Sequence, residues 1–245
     1  MTGMQNRVFA PAVAAALLMV APAVAGEVRD HPKAVLELFT SQGCSSCPMA
    51  DAKLSELQKQ PDVIALAYHV DYWDYIGWTD TFGSKANSDR QKAYAQSWGS
   101  SRIYTPQIIV NGQKGVIGSH SKDVGDAVNT AVLEVPVGLV LGADALEVNV
   151  GAQSGAHEAV VWLVTFKDHA EVTIDKGENA GQKIDYTQIV TGRQMLGMWD
   201  PAQGTHLKLP LAELRQDGSN GAVILVQNDK SGLPGPIVGA ASIQL

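Results

Sequence analysis

The chain has two cysteines among its 245 residues, and they stand only three positions apart, at Cys44 and Cys47. An apolar, strand-like run over residues 34–39 precedes them, and a helix-like segment begins at Pro48. The free N–H groups and the positive dipole end of a helix start stabilise a thiolate, which is the reactive form of cysteine. This placement predicts a redox site where a strand gives way to a helix.

Strands and helices alternate around the cysteines. We predict a helix over residues 48–60, because its apolar positions recur at helical spacing and Pro61 follows. A second buried strand over residues 63–70 would run parallel to the first, since a helical crossover joins them. The remaining predicted elements are a helix over 84–98, a hairpin over 107–117 with an Asn111-Gly112 turn, and a helix over 121–133. The predicted order is β-α-β-α-β-β-α.

After residue 135 the pattern changes to short strands separated by Gly, Asp, Asn and Pro. Strands are predicted over residues 137–141, 145–150, 159–167, 172–174, 183–191, 205–209, 222–228 and 237–244. Even spacing of short strands favours an antiparallel sandwich or barrel. We therefore expect an α/β domain over residues 26–135 and an all-β, sandwich-like domain over residues 136–245, and we expect the two to pack together.

Residues 1–25 have the pattern of a secretory signal peptide. Arg7 is followed by an apolar run over residues 8–20 and by Ala23-Val24-Ala25, a small-residue cleavage site. We expect a periplasmic or secreted protein with no stable membrane insertion after cleavage, because the apolar run is too short to span a bilayer comfortably. Retention of this segment as an anchor is the alternative.

The charge of the chain narrows the class of partner. Its formal net charge is −7, and an acidic surface repels the phosphates of nucleic acid. We therefore expect proteins, peptides or cations as partners rather than nucleic acid.

Three other interpretations of the cysteines stay open: a static structural disulfide, a pair of inert thiols, and a metal site. For the metal site, Cys44 and Cys47 would bind copper or zinc together with Met49, His69 or His120. The chain has no second C-x-x-C or H-x-x-x-H pair, so such a site would need residues distant in sequence.

Several segments resemble the thioredoxin-like superfamily and, more closely, a family of secreted bacterial proteins known only as a domain of unknown function. These segments are LFTSQGCSSCP (residues 38–48), HVDYWD (69–74), YTPQ (104–107) with NG (111–112), and GENAG (177–181). They lie in both halves, so the resemblance covers nearly the whole chain after the signal segment. It implies a thioredoxin-like fold for the α/β domain.

The resemblance also implies roles for individual residues. Cys44 would be the nucleophile and Cys47 the resolving cysteine, while Pro106 would be a cis-proline that faces their disulfide. The backbone of Thr105 would then pair with an extended substrate segment. Gln42-Gly43 and Ser45-Ser46 differ from the residues of thioredoxin itself, which leaves the direction of exchange open.

Other residues near the cysteines are candidates for tuning and for substrate binding. Ser45 and Ser46 can donate hydroxyl groups to the Cys44 sulfur. His69 and Asp71 follow the second parallel strand, at the end of the sheet where ligands usually bind, and could tune the thiolate or move a proton.

Trp73 and Tyr104, with Trp78, could form an apolar platform for extended peptides. Such aromatic side chains are more often simply buried in the core. For the segment over residues 69–74, a capped loop with a hydrogen-bonded Asp and a core-packing Trp73 is an equally good explanation. Polar residues of the second half, including Asn179 and Tyr186, are adequately explained by turn and surface roles, and we assign them no function.

The sequence therefore predicts an exported thiol–disulfide oxidoreductase that exchanges disulfides with protein or peptide thiols. Its redox-active disulfide would be its only cofactor, and an unidentified redox partner would set its state. The alternatives are a copper-binding protein and a redox-inactive adaptor with the same fold.

Overall fold

The structure is a computed structural model that describes residues 27–245, so the predicted signal segment lies outside it. The first half contains β1 (Val28–Arg29), β2 (Ala34–Thr40), α1 (Pro48–Leu57), β3 (Val63–His69), α2 (Lys85–Ser97), β4 (Gln107–Val110), β5 (Lys114–Ile117) and α3 (Ser121–Asn129). The order from β2 to α3 confirms the predicted β-α-β-α-β-β-α sequence of elements. The short strand β1 was not predicted.

The second half is rich in strands. It contains β6 (Val137–Leu141), β7 (Ala145–Val150), β8 (Ala159–Thr173), β9 (Lys183–Trp199), β10 (Thr205–Pro210), a short helix α4 (Leu211–Leu214), β11 (Gly221–Lys230) and β12 (Leu233–Gln244). The predicted boundaries inside β8 and β9 were wrong. Residues 159–167 and 172–174 belong to one strand, and β9 continues eight residues past the predicted end at residue 191, because the two strands pair along most of their length.

Both halves contribute to one nine-stranded sheet with the order β1-β12-β11-β8-β9-β3-β2-β4-β5. β2 and β3 are parallel, whereas β4 and β5 are antiparallel to their neighbours. The halves meet where β3 pairs with β9, with Ala67 opposite Ile189. The chain boundary at residue 135 is therefore not a boundary between sheets. β6, β7 and β10 form a separate three-stranded sheet, in the order β10-β7-β6.

The large sheet is covered on both faces. Leu36 and Leu38 of β2 face a core shared with α1 and α3, while Val35 and Phe39 face a core shared with α2 and strands of the second half. This alternation follows from the two-residue period of a strand, and burial on both faces explains why β2 is an almost unbroken apolar run. The three-stranded sheet packs on the second-half strands through its own core, which contains the buried Trp199.

No helix among residues 27–245 has both the length and the apolar character needed to cross a membrane.

Candidate functional site

Cys44 and Cys47 form a disulfide at the start of α1, with their Cα atoms 5.4 Å apart. The Cys44 N–H donates to the Ser41 carbonyl and the Cys47 N–H donates to the Cys44 carbonyl, each at 3.1 Å. Cys47 is the N-cap residue of α1, and its side chain makes no capping hydrogen bond. Cys44 is 2% exposed and Cys47 is fully buried. The disulfide is thus held at a helix start and is nearly closed to solvent.

The two serines between the cysteines lie on the surface. Ser45 and Ser46 are both exposed. The Ser46 Oγ lies 3.5 Å from the Cys44 Sγ, within hydrogen-bond distance for sulfur. Ser46 is therefore placed to donate to a Cys44 thiolate.

Trp73 joins the disulfide loop to the segment that contains Pro106. Its indole Nε1 donates to the Thr105 Oγ1 at 2.7 Å. Its Cβ packs on Gly43, where an added Cβ would lie only 3.3 Å away. The peptide bond between Thr105 and Pro106 is cis. One side chain thus spans from the residue before Cys44 to the residue before Pro106.

Pro106 also lies close to the first turn of α1. A Cβ added at Gly118 would be 3.0 Å from the Ala50 Cβ and 3.3 Å from the Pro106 Cβ. The Gly118 N–H donates to the Pro106 carbonyl at 2.9 Å. Glycine at this position therefore allows the helix that carries Cys47 and the Pro106 segment to approach each other.

A cluster of buried polar side chains lies behind the disulfide. Asp51 is one helical turn after Cys47 and donates its N–H to the Cys47 carbonyl at 3.1 Å, so the two side chains share a face of α1. The Thr40 Oγ1 donates to the Asp51 Oδ2 at 3.1 Å. The Nδ1 of His69 lies 2.8 Å from the Asp80 Oδ2. All four side chains are buried.

Three buried polar atoms of this region have no hydrogen-bond partner among the described residues: the Asp51 Oδ1, the His69 Nε2 and the Tyr186 hydroxyl. The His69 and Tyr186 rings are in contact, with centroids 4.9 Å apart. An unpaired buried polar atom costs about 1–3 kcal/mol. Such atoms are rare in folded proteins, and a catalytic role is one of the usual reasons for retaining them.

The surroundings shift the pKa values of these groups in different directions. Burial raises the pKa of Asp51 to about 7, despite the opposing effects of His69 and Thr40. Burial lowers the pKa of His69, but Asp80 and Asp51 together raise it more, and the net change is upward. Burial raises the pKa of Asp80, but His69 and the N–H groups of Gln42 and Phe82 together lower it more, and the net change is downward. The site therefore combines a charged His69–Asp80 pair with a carboxyl that titrates near neutral pH.

The loop before Cys44 is fixed by residues from elsewhere in the chain. The Asn179 Nδ2 donates to the carbonyls of Gln42 and Cys44 at 2.9 and 3.0 Å, and Asn179 is only 1% exposed. The Gln42 N–H donates to the Asp80 Oδ2 at 2.8 Å. The Trp78 Nε1 donates to the Gln42 Oε1, also at 2.8 Å. The turn between β8 and β9 therefore covers the disulfide loop.

The sequence model of one family, described as a protein of unknown function (DUF1223), matches residues 35–227, a range that includes the disulfide, Pro106 and Asn179. The chain belongs to the DUF1223 family. It is similar to a protein from Agrobacterium tumefaciens whose X-ray crystal structure was determined by a structural genomics consortium. The two are 37% identical, the match covers 88% of this chain and 95% of that chain, and the TM-score is 0.79. No curated protein matches this chain.

In this DUF1223 protein, most of the residues predicted for the site lie together. Cys44, Cys47, Trp73, Thr105 and Pro106 form one contiguous region, and His69 lies in the buried cluster behind it.

Tyr104 and Asp71, which were also predicted for the site, contact α2 instead. The Tyr104 carbonyl accepts a hydrogen bond from the Gln91 Nε2 of α2, and its ring is 38% exposed. The Asp71 Oδ1 accepts from the Ser88 Oγ of α2, and the Asp71 N–H donates to the same hydroxyl. Asp71 thus anchors the loop after β3 to α2 rather than joining the cluster behind the disulfide.

The residues considered as metal ligands lie in different surroundings in this DUF1223 protein, and His69 lies in the buried cluster, where its Nδ1 is paired with Asp80. Met49 is exposed, and His120 lies beside Asp123, with its Nδ1 3.4 Å from the Asp123 Oδ2. Within residues 27–245, no three or more His, Cys, Asp and Glu side chains are grouped so that they could hold a metal ion.

Sequence reasoning missed Asp51, Asp80 and Asn179. Asp51 carried a signal, because a residue four positions after Cys47 falls on the same face of the predicted helix. Asp80 and Asn179 carried no such signal, because their partners are distant in sequence. Asp80 contacts His69, 11 residues away, and Asn179 contacts Cys44, 135 residues away. The surface role considered for Asn179 was wrong, because its side chain is buried and donates to the carbonyls of Gln42 and Cys44.

Proposed function

We propose that this chain is an exported thiol–disulfide oxidoreductase that exchanges disulfides with protein or peptide thiols through Cys44 and Cys47. In this proposal residues 26–135 form a thioredoxin-like domain and residues 136–245 a sandwich-like domain. The strongest support is the position of the disulfide at a helix start, with the buried carboxyl of Asp51 one turn behind Cys47. A disulfide that closes so short a loop adds little stability, which argues against a purely structural role.

The exchange proceeds in two attacks. A substrate thiolate attacks the Cys44 Sγ, the bond between Cys44 and Cys47 breaks, and Cys47 leaves as a thiolate. A second substrate thiolate then attacks the substrate sulfur bound to Cys44, which releases Cys44 as a thiolate and a substrate disulfide. The substrate is oxidised and the chain is reduced by two electrons. Run in reverse, the same steps oxidise the chain.

Asp51 acts on the Cys47 thiolate in this scheme. With a pKa of about 7, its carboxyl can donate a proton to Cys47 when the disulfide opens and take it back when the disulfide forms. The uncapped start of α1 stabilises the Cys44 thiolate by its dipole, and the Ser46 hydroxyl adds a donor. The two sulfurs therefore differ in protonation in this scheme: the Cys44 sulfur stays a thiolate, whereas the Cys47 sulfur receives a proton.

The decisive experiment equilibrates the protein with glutathione mixtures and measures the Cys44–Cys47 state by thiol trapping and mass spectrometry. We expect a defined potential between about −120 and −270 mV, the range of known exchange proteins. The Cys47→Ala variant should accumulate a mixed disulfide on Cys44, and the Cys44→Ser variant should not form one on Cys47. Cysteines that stay oxidised at every potential would make the disulfide structural. Cysteines that exchange only after Cu(I) is removed would indicate a copper site.

A further inference from the structure

A groove opens beside the free edge of the nine-stranded sheet. β5 is the last strand in the sheet order, and among the described residues, 27–245, it pairs only with β4. The adjacent cavity has a volume of about 770 Å³. Its principal walls are formed by Trp98, Arg102, Tyr104, Gln107, Lys114 and Ile117. Since none of these residues takes part in the buried cluster behind the disulfide, the groove is a separate feature of the surface.

Part of the groove wall is apolar and aromatic. Trp98, Tyr104 and Ile117 are 39%, 38% and 41% exposed, which is high for large apolar side chains. Trp98 stacks on the buried Tyr94, with ring centroids 5.5 Å apart. An added Cβ at Gly115 would lie 2.8 Å from the Gln107 Nε2 and 3.3 Å from the Trp98 Cζ3. The missing side chain at Gly115 lets the indole lie directly on the strand.

The charge of the groove is opposite to that of the protein as a whole. Arg102 and Lys114 line it, and no Asp or Glu does. Among residues 27–245, neither cation has a carboxylate within salt-bridge distance. The chain nevertheless carries 25 acidic and 18 basic residues. The groove is thus a cationic surface on an acidic protein, and its charge complements an anionic partner.

The backbone of β5 favours an extended partner. In an antiparallel pair, about half of the backbone N–H and C=O groups of an edge strand point away from its neighbour and are free to pair with another strand. The four residues of β5 offer about 13 Å of such an edge. Tyr104 and Gln107, which line the groove, flank Thr105 and Pro106 in sequence, so an occupant of the groove lies next to the segment proposed to bind substrate.

We propose that this groove binds an extended, acidic segment of the polypeptide substrate as an added strand along β5. The acidic side chains of the segment pair with Arg102 and Lys114, and its apolar side chains lie against Trp98 and Tyr104. The inference rests on the proposed thiol–disulfide exchange, to which it adds a substrate class.

Binding is measured by fluorescence anisotropy of a labelled peptide of alternating Glu and Val residues. The same peptide with Lys in place of Glu is the comparison. We expect the acidic peptide to bind and the basic one not to bind. The double variant Arg102→Glu/Lys114→Glu should bind the acidic peptide at least about tenfold more weakly, because two attractions become repulsions. The control Lys59→Glu/Lys208→Glu changes the net charge equally, at exposed positions away from the groove, and should bind like the unaltered protein.

Equal loss of affinity in both double variants would overturn the proposal, because it would reduce the effect to net charge. Binding of phosphatidylglycerol vesicles without binding of the peptide would also overturn it and would indicate a membrane-facing surface.

Exchange assays separate this inference from the proposed function. With an acidic peptide disulfide as substrate, Arg102→Glu/Lys114→Glu should raise KM about tenfold, whereas exchange with bis(2-hydroxyethyl) disulfide should be unchanged. If the unaltered protein exchanges with neither disulfide but binds the acidic peptide, the oxidoreductase proposal fails and the groove stands. If it exchanges with both equally in all variants, the groove proposal fails and the oxidoreductase stands.

Discussion

Two buried polar clusters lie against β2 and β3, and they differ in how completely their atoms are hydrogen-bonded. In the first, the Arg90 Nε donates to the Glu37 Oε1 at 2.7 Å and its Nη2 donates to the Gln227 Oε1 at 3.2 Å. The Tyr94 hydroxyl donates to Glu37 and accepts from the Gln227 Nε2. Both oxygens of the Glu37 carboxylate and both polar atoms of the Gln227 amide are thus hydrogen-bonded. The neighbouring Tyr68 hydroxyl has no partner in the part of the chain that the structure describes.

The second cluster, around Asp51 and His69, is only partly bonded. Within residues 27–245, the Asp51 Oδ1 and the His69 Nε2 are buried without hydrogen-bond partners, and both belong to groups that can bind or release protons. The first cluster links β2, α2 and β11, and Glu37, Tyr94 and Tyr68 hold the pKa of the Arg90 guanidinium above its usual value despite the opposing effect of burial. The two clusters therefore differ in their expected roles. The first joins the halves of the chain, and in the proposed mechanism the second exchanges protons with the disulfide.

The largest effect on stability is expected from Arg90→Met. This change leaves the Glu37 carboxylate buried without its cation, which should lower the free energy of unfolding by about 3–5 kcal/mol. Denaturant unfolding measures the change. The double variant Glu37→Gln/Arg90→Met should recover much of the loss, because no charge then remains unpaired. A loss below about 1 kcal/mol in Arg90→Met would mean that the ion pair between β2 and α2 contributes no more than an exposed pair does.

Asp51→Asn should change stability in a pH-dependent manner. Folding raises the pKa of Asp51 from 3.8 to about 7, so the folded chain binds more protons than the unfolded chain between these values. The unaltered protein therefore loses stability as pH rises through this window, by up to about 4 kcal/mol, and the loss is complete above about pH 7. Asn stays neutral, so the variant should equal the unaltered protein near pH 4 and be more stable at pH 8.

Asp51→Asn also tests the proposed role of Asp51 as a proton donor. Removing the proton donor should slow opening of the disulfide by about 10²-fold or more. Thermal unfolding from pH 4 to pH 8 and stopped-flow exchange report on the two effects separately. A stability difference between the variant and the unaltered protein that does not vary with pH would place the Asp51 pKa near its ordinary value and remove it from the mechanism.

Asn179→Ala should have a smaller effect on stability, since it removes two hydrogen bonds and leaves the buried carbonyls of Gln42 and Cys44 without this donor. We expect a loss of about 1–3 kcal/mol. After reduction, Cys44 should also react faster with iodoacetamide, because the turn that covers its loop is released. Asn129→Ala, at an exposed position at the end of α3, is the control. Unchanged alkylation would mean that Asn179 does not limit access to Cys44.

The smallest effect is expected outside both clusters. Lys122 and Asp126 form an exposed ion pair one turn apart on α3, and such pairs add little stability in water. Lys122→Ala should leave the denaturation midpoint unchanged within error. A clear loss would show that exposed charges matter as much here as the buried clusters do.

Local patterns in the sequence were sufficient for the elements that surround the disulfide. The apolar run of β2, the helix start at Pro48 and the Asn111-Gly112 turn each depend on neighbouring residues, and the structure contains the strands, helix and hairpin predicted from them. Asp51 could also have been found in this way, because its relation to Cys47 is fixed by the helical repeat. Local order of this kind is decided within about ten residues of chain.

Long-range packing accounts for the residues that cover and support the disulfide. The polar run at Asp168-His169 interrupted the predicted strand, yet β8 continues through it, because β9 pairs with it on one side over most of its length. The resulting hairpin carries Asn179 to the Cys44 loop and Tyr186 to His69. These contacts join residues more than 100 positions apart, and nothing in the local pattern of either segment encodes such a pairing. The disulfide motif and the helix behind it follow from local residue patterns, whereas the burial and electrostatics of the site depend on the packing of the second half on the first.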